Sequence, residues 1–132
     1  MDSKDRAQAG VVLVIDDDET ITGLIETILS KEGYQVYTAK DGAEGIKVAS
    51  EVLPDLVLMD ITMPVLDGYE TTKEMKKNPR LANTPVIFLT GKTPNEDGGQ
   101  AFATGGTSFI RKPFTNQQLK DLIKLVMESV KA

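Results

Sequence analysis

Short apolar segments recur along the chain at fairly even spacing, and the stretches between them have apolar residues at helical spacing. There are five such segments. Four of them are rich in β-branched or aromatic residues, and the central segments are apolar at successive positions. A strand that is apolar throughout is covered on both faces, as in a parallel sheet. The pattern therefore predicts five strands, at Val11–Ile15, Val36–Ala39, Leu56–Met59, Val86–Leu89 and Ser108–Ile110.

The segments between these strands are predicted to be helices. The first has a single apolar stripe and Gly33 at a position suited to end it; the stripe consists of Ile21, Leu24, Ile25, Ile28 and Leu29. Capping patterns at Asp41–Glu44, Asp67–Glu70 and Thr115–Gln118 begin the second, third and last helices. Four glycines within 94–106 disfavour a long helix, so we expect a short or mobile fourth helix there.

The order of elements predicts an α/β fold. Five strand–helix units in succession give right-handed crossovers and a mostly parallel sheet with helices on both faces. No repeat or linker divides the chain, so we expect a flexible N-terminal tail at 1–10 and one domain at 11–132. Ligands of such doubly wound sheets bind at the carboxyl ends of the strands.

The composition excludes several kinds of chemistry. The 132 residues include no cysteine and no histidine, which excludes disulfide scaffolds, thiolate chemistry and histidine general bases. The formal net charge of −5, without a basic stripe, argues against direct binding of nucleic acid or an anionic membrane. The N-terminus has no signal-peptide pattern, and the longest apolar run, Val11–Ile15, is too short to span a membrane. We therefore expect a cytoplasmic protein.

Polar or charged side chains follow four of the five predicted strands. They are Asp16, Asp17 and Asp18 after the first strand, Asp60 after the third, Thr90 after the fourth, and Arg111 and Lys112 after the fifth. Asp18 is better explained as a helix N-cap. Carboxylates gathered at one edge repel each other unless a cation joins them, and oxygen ligands favour Mg²⁺, for which Mn²⁺ could substitute. Lys112 would supply a second counter-charge.

Four segments of the chain resemble the signature segments of the response-regulator receiver domain of two-component signalling. They are VLVIDDDE, LVLMDITMPVLDG, VIFLTG and FIRKPF, and they occur in the family's order and at similar spacings. The resemblance covers approximately residues 11–130. It implies a flavodoxin-like sheet of strand order 2-1-3-4-5, for which a receiver protein is a known example.

The resemblance also implies a role for each matching residue. Asp60 would be the phosphoacceptor, and Lys112 would pair first with Asp60 and then with a phosphoryl oxygen. The metal ligands would be Asp16, Asp17, Asp60 and the backbone carbonyl of Thr62. The Thr90 hydroxyl would bind the phosphoryl group. Phe109 would be the aromatic switch residue, whose position reports whether the domain has switched. The Lys112–Pro113 peptide bond would be cis.

A phosphorylation-dependent switch, rather than an enzyme with an external substrate, is the function that the resemblance implies. The phosphoryl donor would be a histidine kinase or a histidine phosphotransfer protein. A downstream protein would bind the face made by the fourth helix, the fifth strand and the fifth helix, where Leu125 is a candidate anchor. The protein would be a monomer or a phosphorylation-dependent dimer.

Two alternatives from other functional classes stay open at this point. A receiver-like module could bind partners without being phosphorylated. Asp16-x-Asp18-x-Thr20 also fits the nucleophile loop of a haloacid-dehalogenase-type phosphatase, although Asp60 would then have no role. A P-loop ending at Gly91-Lys92-Thr93 is rejected, because its first glycine would have to replace Val86 within a strand.

Overall fold

A computed structural model of the chain describes residues 9–91 and 105–131, with side chains as far as Ser129. Its strands are β1 (Val11–Ile15), β2 (Gln35–Ala39), β3 (Leu56–Asp60), β4 (Val86–Thr90) and β5 (Ser108–Arg111). The described helices are α1 (Glu19–Lys31), α2 (Gly42–Val52), α3 (Gly68–Lys76) and the C-terminal α4 (Asn116–Lys131). All five predicted strands are present. Strands β3 and β4 each extend one residue further than predicted, so β3 ends at Asp60 and β4 ends at Thr90.

The five strands form one parallel sheet of order β2-β1-β3-β4-β5, which confirms the predicted topology. Strands β3 and β4 are buried at every position, as their uninterrupted apolar sequences predict. Because all strands run in the same direction, their carboxyl ends lie along one edge. The registers of β1 with β3 and of β3 with β4 bring the ends of these three strands side by side.

Helices cover both faces of the sheet. On one face, α1 and α4 pack on alternate strand residues through a core that includes Ile25, Leu29, Leu119 and Ile123. On the other face, α2 and α3 pack on the remaining strand residues, with Ala49, Tyr69 and Met75 in the core. Each central strand residue is therefore buried under one layer of helices or the other.

The helix termini follow the polar signals in the sequence. Asp18 is the N-cap of α1, as expected, and its side chain accepts a hydrogen bond from the N–H of Thr20. Asp67 and Glu70 form a complete capping box at the start of α3. At α2 the capping box is incomplete. Asp41 accepts a hydrogen bond from the N–H of Glu44, but the Glu44 carboxylate accepts from the N–H of Lys40 and not from that of Asp41.

Two predictions fall partly outside the described residues: the N-terminal tail, of which 1–8 are not described, and the fourth helix within 94–106, of which only Gly105 and Gly106 are described. In the described parts of the chain, every helix is too short or too polar to cross a lipid bilayer.

Candidate functional site

Three carboxylates meet at the carboxyl edge of the sheet. Asp16 and Asp17 follow β1, and Asp60 ends the neighbouring strand β3. One oxygen from each carboxylate lies within 4.8 Å of the others. Asp16 and Asp60 are 1% and 6% exposed, whereas Asp17 is open to solvent. The cluster therefore has a buried base and an accessible rim, as the alignment of strand ends predicts.

Lys112 supplies positive charge to this cluster. Its Nζ lies 3.1 Å from Oδ1 of Asp60 and 3.2 Å from Oδ2 of Asp16. The residue immediately follows β5, and its backbone N–H donates to the carbonyl oxygen of Thr90 over 2.7 Å. The Lys112–Pro113 peptide bond is cis, as the resemblance implies. The structure thus brings Lys112 together with both buried carboxylates.

Backbone hydrogen bonds fix the position of Asp16. Its Oδ1 accepts from the N–H of Asp18 over 2.9 Å, while its own N–H donates to the carbonyl oxygen of Ala39 over 3.1 Å. One carboxylate oxygen is therefore turned to the β1–α1 loop and the other to Lys112. Asp18 caps α1 and is not part of the group of three carboxylates.

The electrostatics of the cluster show an excess of negative charge. The pKa of Asp60 is raised to about 6. Burial is the largest cause of this shift, and the neighbouring Asp16 and Asp17 carboxylates add to it, whereas Lys112 acts in the opposite direction. Burial acts to lower the pKa of Lys112, but the carboxylates of Asp60 and Asp16 outweigh burial and raise that pKa overall. One ammonium group thus faces three carboxylates, and a cation at the rim would relieve the remaining repulsion.

The donor atoms of the cluster suit a small divalent cation. All three side chains offer carboxylate oxygens, which are the ligands preferred by Mg²⁺ and Mn²⁺, and the exposed rim leaves room for water ligands. Thr62, the expected source of a carbonyl ligand, is exposed and lies in the loop after β3, two residues beyond Asp60. The residues present therefore fit the expected metal.

The two predicted switch residues lie beside the cluster rather than in it. Thr90 is buried at the end of β4, and its carbonyl oxygen binds the N–H of Lys112. Phe109 is half-buried in β5, pairs in register with Phe88, and packs against the core on the α2–α3 face. Both residues are thus connected to Lys112 through the last two strands.

Two features of the connection between β3 and the start of α3 are not predicted from the sequence. Gly68, the first residue of α3, lies directly against the backbone of Asp60 and Ile61. Val65 has a positive φ of 69° and a side chain that is 99% exposed. The capping pattern at Asp67–Glu70 predicts only the start of a helix, and no sequence signal identifies a valine in a left-handed conformation.

A family model for the response regulator receiver domain matches residues 12–124. The chain belongs to this family. Protein PilG of Pseudomonas aeruginosa is 38% identical to the receiver domain described here over 113 residues, which make up 86% of this chain and 84% of PilG. The family assignment confirms the resemblance predicted from the four signature segments and places the chain in two-component signalling.

Solved structures of receiver proteins have the same fold. Chemotaxis protein CheY4 of Vibrio cholerae matches with a TM-score of 0.85 and 32% identity, over 88% of this chain and 97% of CheY4. The receiver domain of sensor histidine kinase PA1611 from P. aeruginosa matches with a TM-score of 0.83 and 28% identity, over 90% of this chain and 98% of that domain. That structure is described as having a magnesium ion coordinated in its active site cleft.

Several other relatives are named as transcriptional regulators, and the chain spans only between 44% and 54% of their length. The part that matches is the receiver domain, so the similarity extends to that domain and not to the whole of those proteins.

Proposed function

We propose that this receiver domain accepts a phosphoryl group on Asp60 from a phosphohistidine and thereby changes its binding of a protein partner. The observation that carries the proposal is the position of Asp60, which is buried between two further carboxylates and held by Lys112 at 3.1 Å. Among the described carboxylates, Asp16 shares these neighbours and contacts Lys112 at 3.2 Å, but its other oxygen already accepts from the N–H of Asp18.

The chemistry follows from the groups around Asp60. A carboxylate oxygen of Asp60 attacks phosphorus, the P–O bond forms as the P–N bond of the donor breaks, and the donor imidazole leaves with the bonding electrons. With a pKa of about 6, Asp60 is mostly ionised at neutral pH and is thus ready to act as the nucleophile. Lys112 can then pair with a phosphoryl oxygen, because phosphoryl transfer depends mainly on positioning and charge neutralisation.

Asp16, Asp17, Asp60 and the carbonyl of Thr62 are the residues that would hold Mg²⁺. When bound, the cation would neutralise charge on the carboxylates and on the phosphoryl oxygens. Asp16 is already oriented by the N–H of Asp18, so little reorganisation of the buried part of the site is required. The magnesium ion in the active site cleft of the PA1611 receiver domain supports this part of the proposal.

A groove beside the site is the surface we propose for the downstream partner. It has a volume of about 690 Å³ and is lined by residues of β5 and α4, including Phe109, Leu122 and Leu125. Leu125 is 64% exposed, in agreement with its predicted role as an anchor. Lys112 and Pro113 line the same groove, which therefore connects the partner surface to the phosphorylation site.

Phosphorylation by a small donor tests the proposal without a cognate kinase. The protein is incubated with acetyl phosphate and Mg²⁺, and its intact mass is measured. We expect an increase of one phosphoryl group that is absent in Asp60→Asn and present in Asp121→Asn, a matched change of an exposed aspartate in α4. If no adduct forms, or if Asp60→Asn retains it, Asp60 is not the acceptor. The first outcome would favour the module that binds partners without phosphorylation.

A phosphatase of the haloacid-dehalogenase type has less support. Asp18, the second aspartate of the Asp16-x-Asp18-x-Thr20 arrangement, is engaged as the N-cap of α1, and Asp60 would have no role in such an enzyme. Sustained hydrolysis of a phosphomonoester that is lost in Asp16→Asn but retained in Asp60→Asn would reverse this conclusion.

A further inference from the structure

The first residue of α3, Gly68, lies unusually close to the backbone of the proposed phosphoacceptor. A Cβ atom at this position would lie 2.8 Å from Cα of Ile61 and closer still to the carbonyl oxygen of Asp60. Real Cβ atoms essentially never approach other heavy atoms within 3.0 Å. Gly68 does not have a positive φ, so glycine is required here for close approach and not for its backbone conformation.

Neither side of this contact can move easily. Asp60 ends a buried strand that is paired with β4, and the N–H of Ile61 donates to the carbonyl oxygen of Leu89 over 3.3 Å. On the helix side, the ring of Tyr69 packs edge-on against Phe88 in β4, with ring centroids 5.1 Å apart. A side chain at position 68 would therefore have to displace the start of α3 or the end of β3.

This close approach also closes the loop that follows Asp60. The N–H of Gly68 donates to the carbonyl oxygen of Ile61 over 2.8 Å, so the loop of residues 61–67 returns to its starting point. Met63 is buried within the loop, and the capping box of Asp67 and Glu70 secures the first turn of α3. The position of Thr62 therefore depends on how closely α3 approaches β3.

We propose that Gly68 is a positioning residue for the phosphorylation site, because its lack of a side chain seats α3 against Asp60 and fixes the backbone of the loop that carries Thr62. The inference rests on the proposed function, since it assumes that Asp60 and Thr62 hold a divalent cation. A misplacement of about 1 Å in such a site can reduce its efficiency by a factor of about 100.

Magnesium affinity provides a readout that is independent of phosphorylation. In isothermal titration calorimetry we expect Gly68→Ala to weaken Mg²⁺ binding at least about tenfold, with a similar loss in the rate of modification by acetyl phosphate. Gly45→Ala is the matched control for overpacking, because the added Cβ would press on the buried Ile15 side chain in the same core and not on backbone. We expect Gly45→Ala to bind Mg²⁺ as the wild type does. Equal Mg²⁺ affinity in the two variants would overturn the proposal.

A second pair of variants covers the case in which Gly68→Ala does not fold. Asp67→Ala removes the N-cap of α3, and Asp41→Ala removes the equivalent N-cap of α2; each aspartate accepts its N-cap hydrogen bond over 2.8 Å. Loss of an N-cap destabilises either helix to a similar extent, so the free energies of unfolding of the two variants should fall alike. Only Asp67→Ala should weaken Mg²⁺ binding, by about threefold. Equal Mg²⁺ binding by Asp67→Ala and Asp41→Ala would contradict the inference about Gly68. A wild-type protein that binds no Mg²⁺ and accepts no phosphoryl group would instead contradict the proposed function.

Discussion

The ammonium group of Lys112 lies 3.1 Å from the Asp60 carboxylate, and only 29% of the Lys112 side chain is exposed. This ion pair is shielded from solvent on its carboxylate side, because the Asp60 side chain is only 8% exposed. It also compensates part of the repulsion among the three carboxylates, since Lys112 lowers the pKa of Asp60 against the effect of burial. The contact therefore stabilises the domain before any phosphoryl group arrives.

Removing Lys112 should destabilise the metal-free protein. Lys112→Gln leaves two buried carboxylates without their counter-charge, and we expect a loss of about 2 kcal/mol in the free energy of unfolding at neutral pH. The measurement is urea unfolding in the presence of a chelator. Lys120→Gln is the control, because Lys120 is similarly exposed at 31% but makes only a surface pair with Glu32 at 3.9 Å. That variant should change by less than about 0.5 kcal/mol; equal effects would contradict the prediction.

The raised pKa of Asp60 predicts a specific pH dependence of stability. Its ordinary pKa is 3.8 and its pKa in the folded protein is about 6, so between these values the native state binds more protons than the unfolded state. Asp60 therefore makes the free energy of unfolding fall as pH rises through this range, by about 2–3 kcal/mol in total. Above pH 6 the whole penalty is present.

Asp60→Asn should remove this penalty. In urea unfolding without divalent cations, we expect the variant to be about 2 kcal/mol more stable than the wild type near pH 7.5 and to differ little near pH 4. Effects of titrating groups that are distant from Asp60 cancel in the difference between the two proteins. If the wild type is as stable as Asp60→Asn at both pH values, ionised Asp60 does not destabilise the folded protein and the prediction is wrong.

Asp17 provides a test of the metal site that preserves the buried carboxylates. The exposed Asp17 carboxylate raises the pKa of Asp60, so Asp17→Asn relieves repulsion as it removes a candidate ligand. We expect the variant to lose most of the stabilisation that Mg²⁺ gives the wild type in thermal unfolding, and to be no less stable than the wild type without the metal. Destabilisation of the metal-free protein by more than about 2 kcal/mol would mean that Asp17 has a structural role.

The composition of the acidic site could be predicted from the sequence, because it depends only on strand order and direction. Asp16, Asp17, Asp60 and Lys112 each come at the end of a strand, and parallel strands bring those ends to one edge. Gly68 could not be recognised in this way. Its role depends on the distance between α3 and β3, which is set in part by the packing of Tyr69 on Phe88, a residue of the neighbouring strand β4.

The conformation of Val65 was equally inaccessible from the sequence, since branched residues rarely adopt a positive φ. The N–H of Leu66 donates to the carbonyl oxygen of Pro64 over 2.8 Å, which makes Val65 the centre of a tight three-residue turn. The short loop between the end of β3 and the fixed start of α3 imposes this turn.

Replacing Val65 with glycine should stabilise the protein. The left-handed conformation costs a residue with a Cβ about 1–2 kcal/mol, whereas glycine adopts it freely but loses more entropy on folding. We expect Val65→Gly to raise the free energy of unfolding by about 0.5–1 kcal/mol in urea. No buried contact is lost, because the side chain is 99% exposed. Val65→Ala retains a Cβ and should give a smaller gain; a loss of stability in Val65→Gly would contradict the assigned turn.

Thr90 and Phe109 are the residues through which we expect the signal to leave the site. Thr90 ends β4 and binds the N–H of Lys112, while Phe109 lies in the adjacent β5 and lines the groove that contains Leu125. If the Thr90 hydroxyl turns towards a phosphoryl oxygen, it vacates space that the Phe109 ring can enter, and the groove changes shape. Loss of that hydroxyl should therefore separate phosphorylation from its remote effect.

The measurement compares amide NMR shifts before and after addition of beryllofluoride and Mg²⁺, a phosphoryl mimic. We expect Thr90→Ala to accept a phosphoryl group at Asp60 but to lose most of the shifts at Phe109 and along the groove as far as Leu125. Thr107→Ala is the matched control, because its hydroxyl accepts from the N–H of Val86 at the opposite end of the same two strands. Its remote shifts should equal those of the wild type. Wild-type shifts in Thr90→Ala would mean that the signal reaches the groove by a route that does not involve the Thr90 hydroxyl, for example through the Lys112 contact with Asp60.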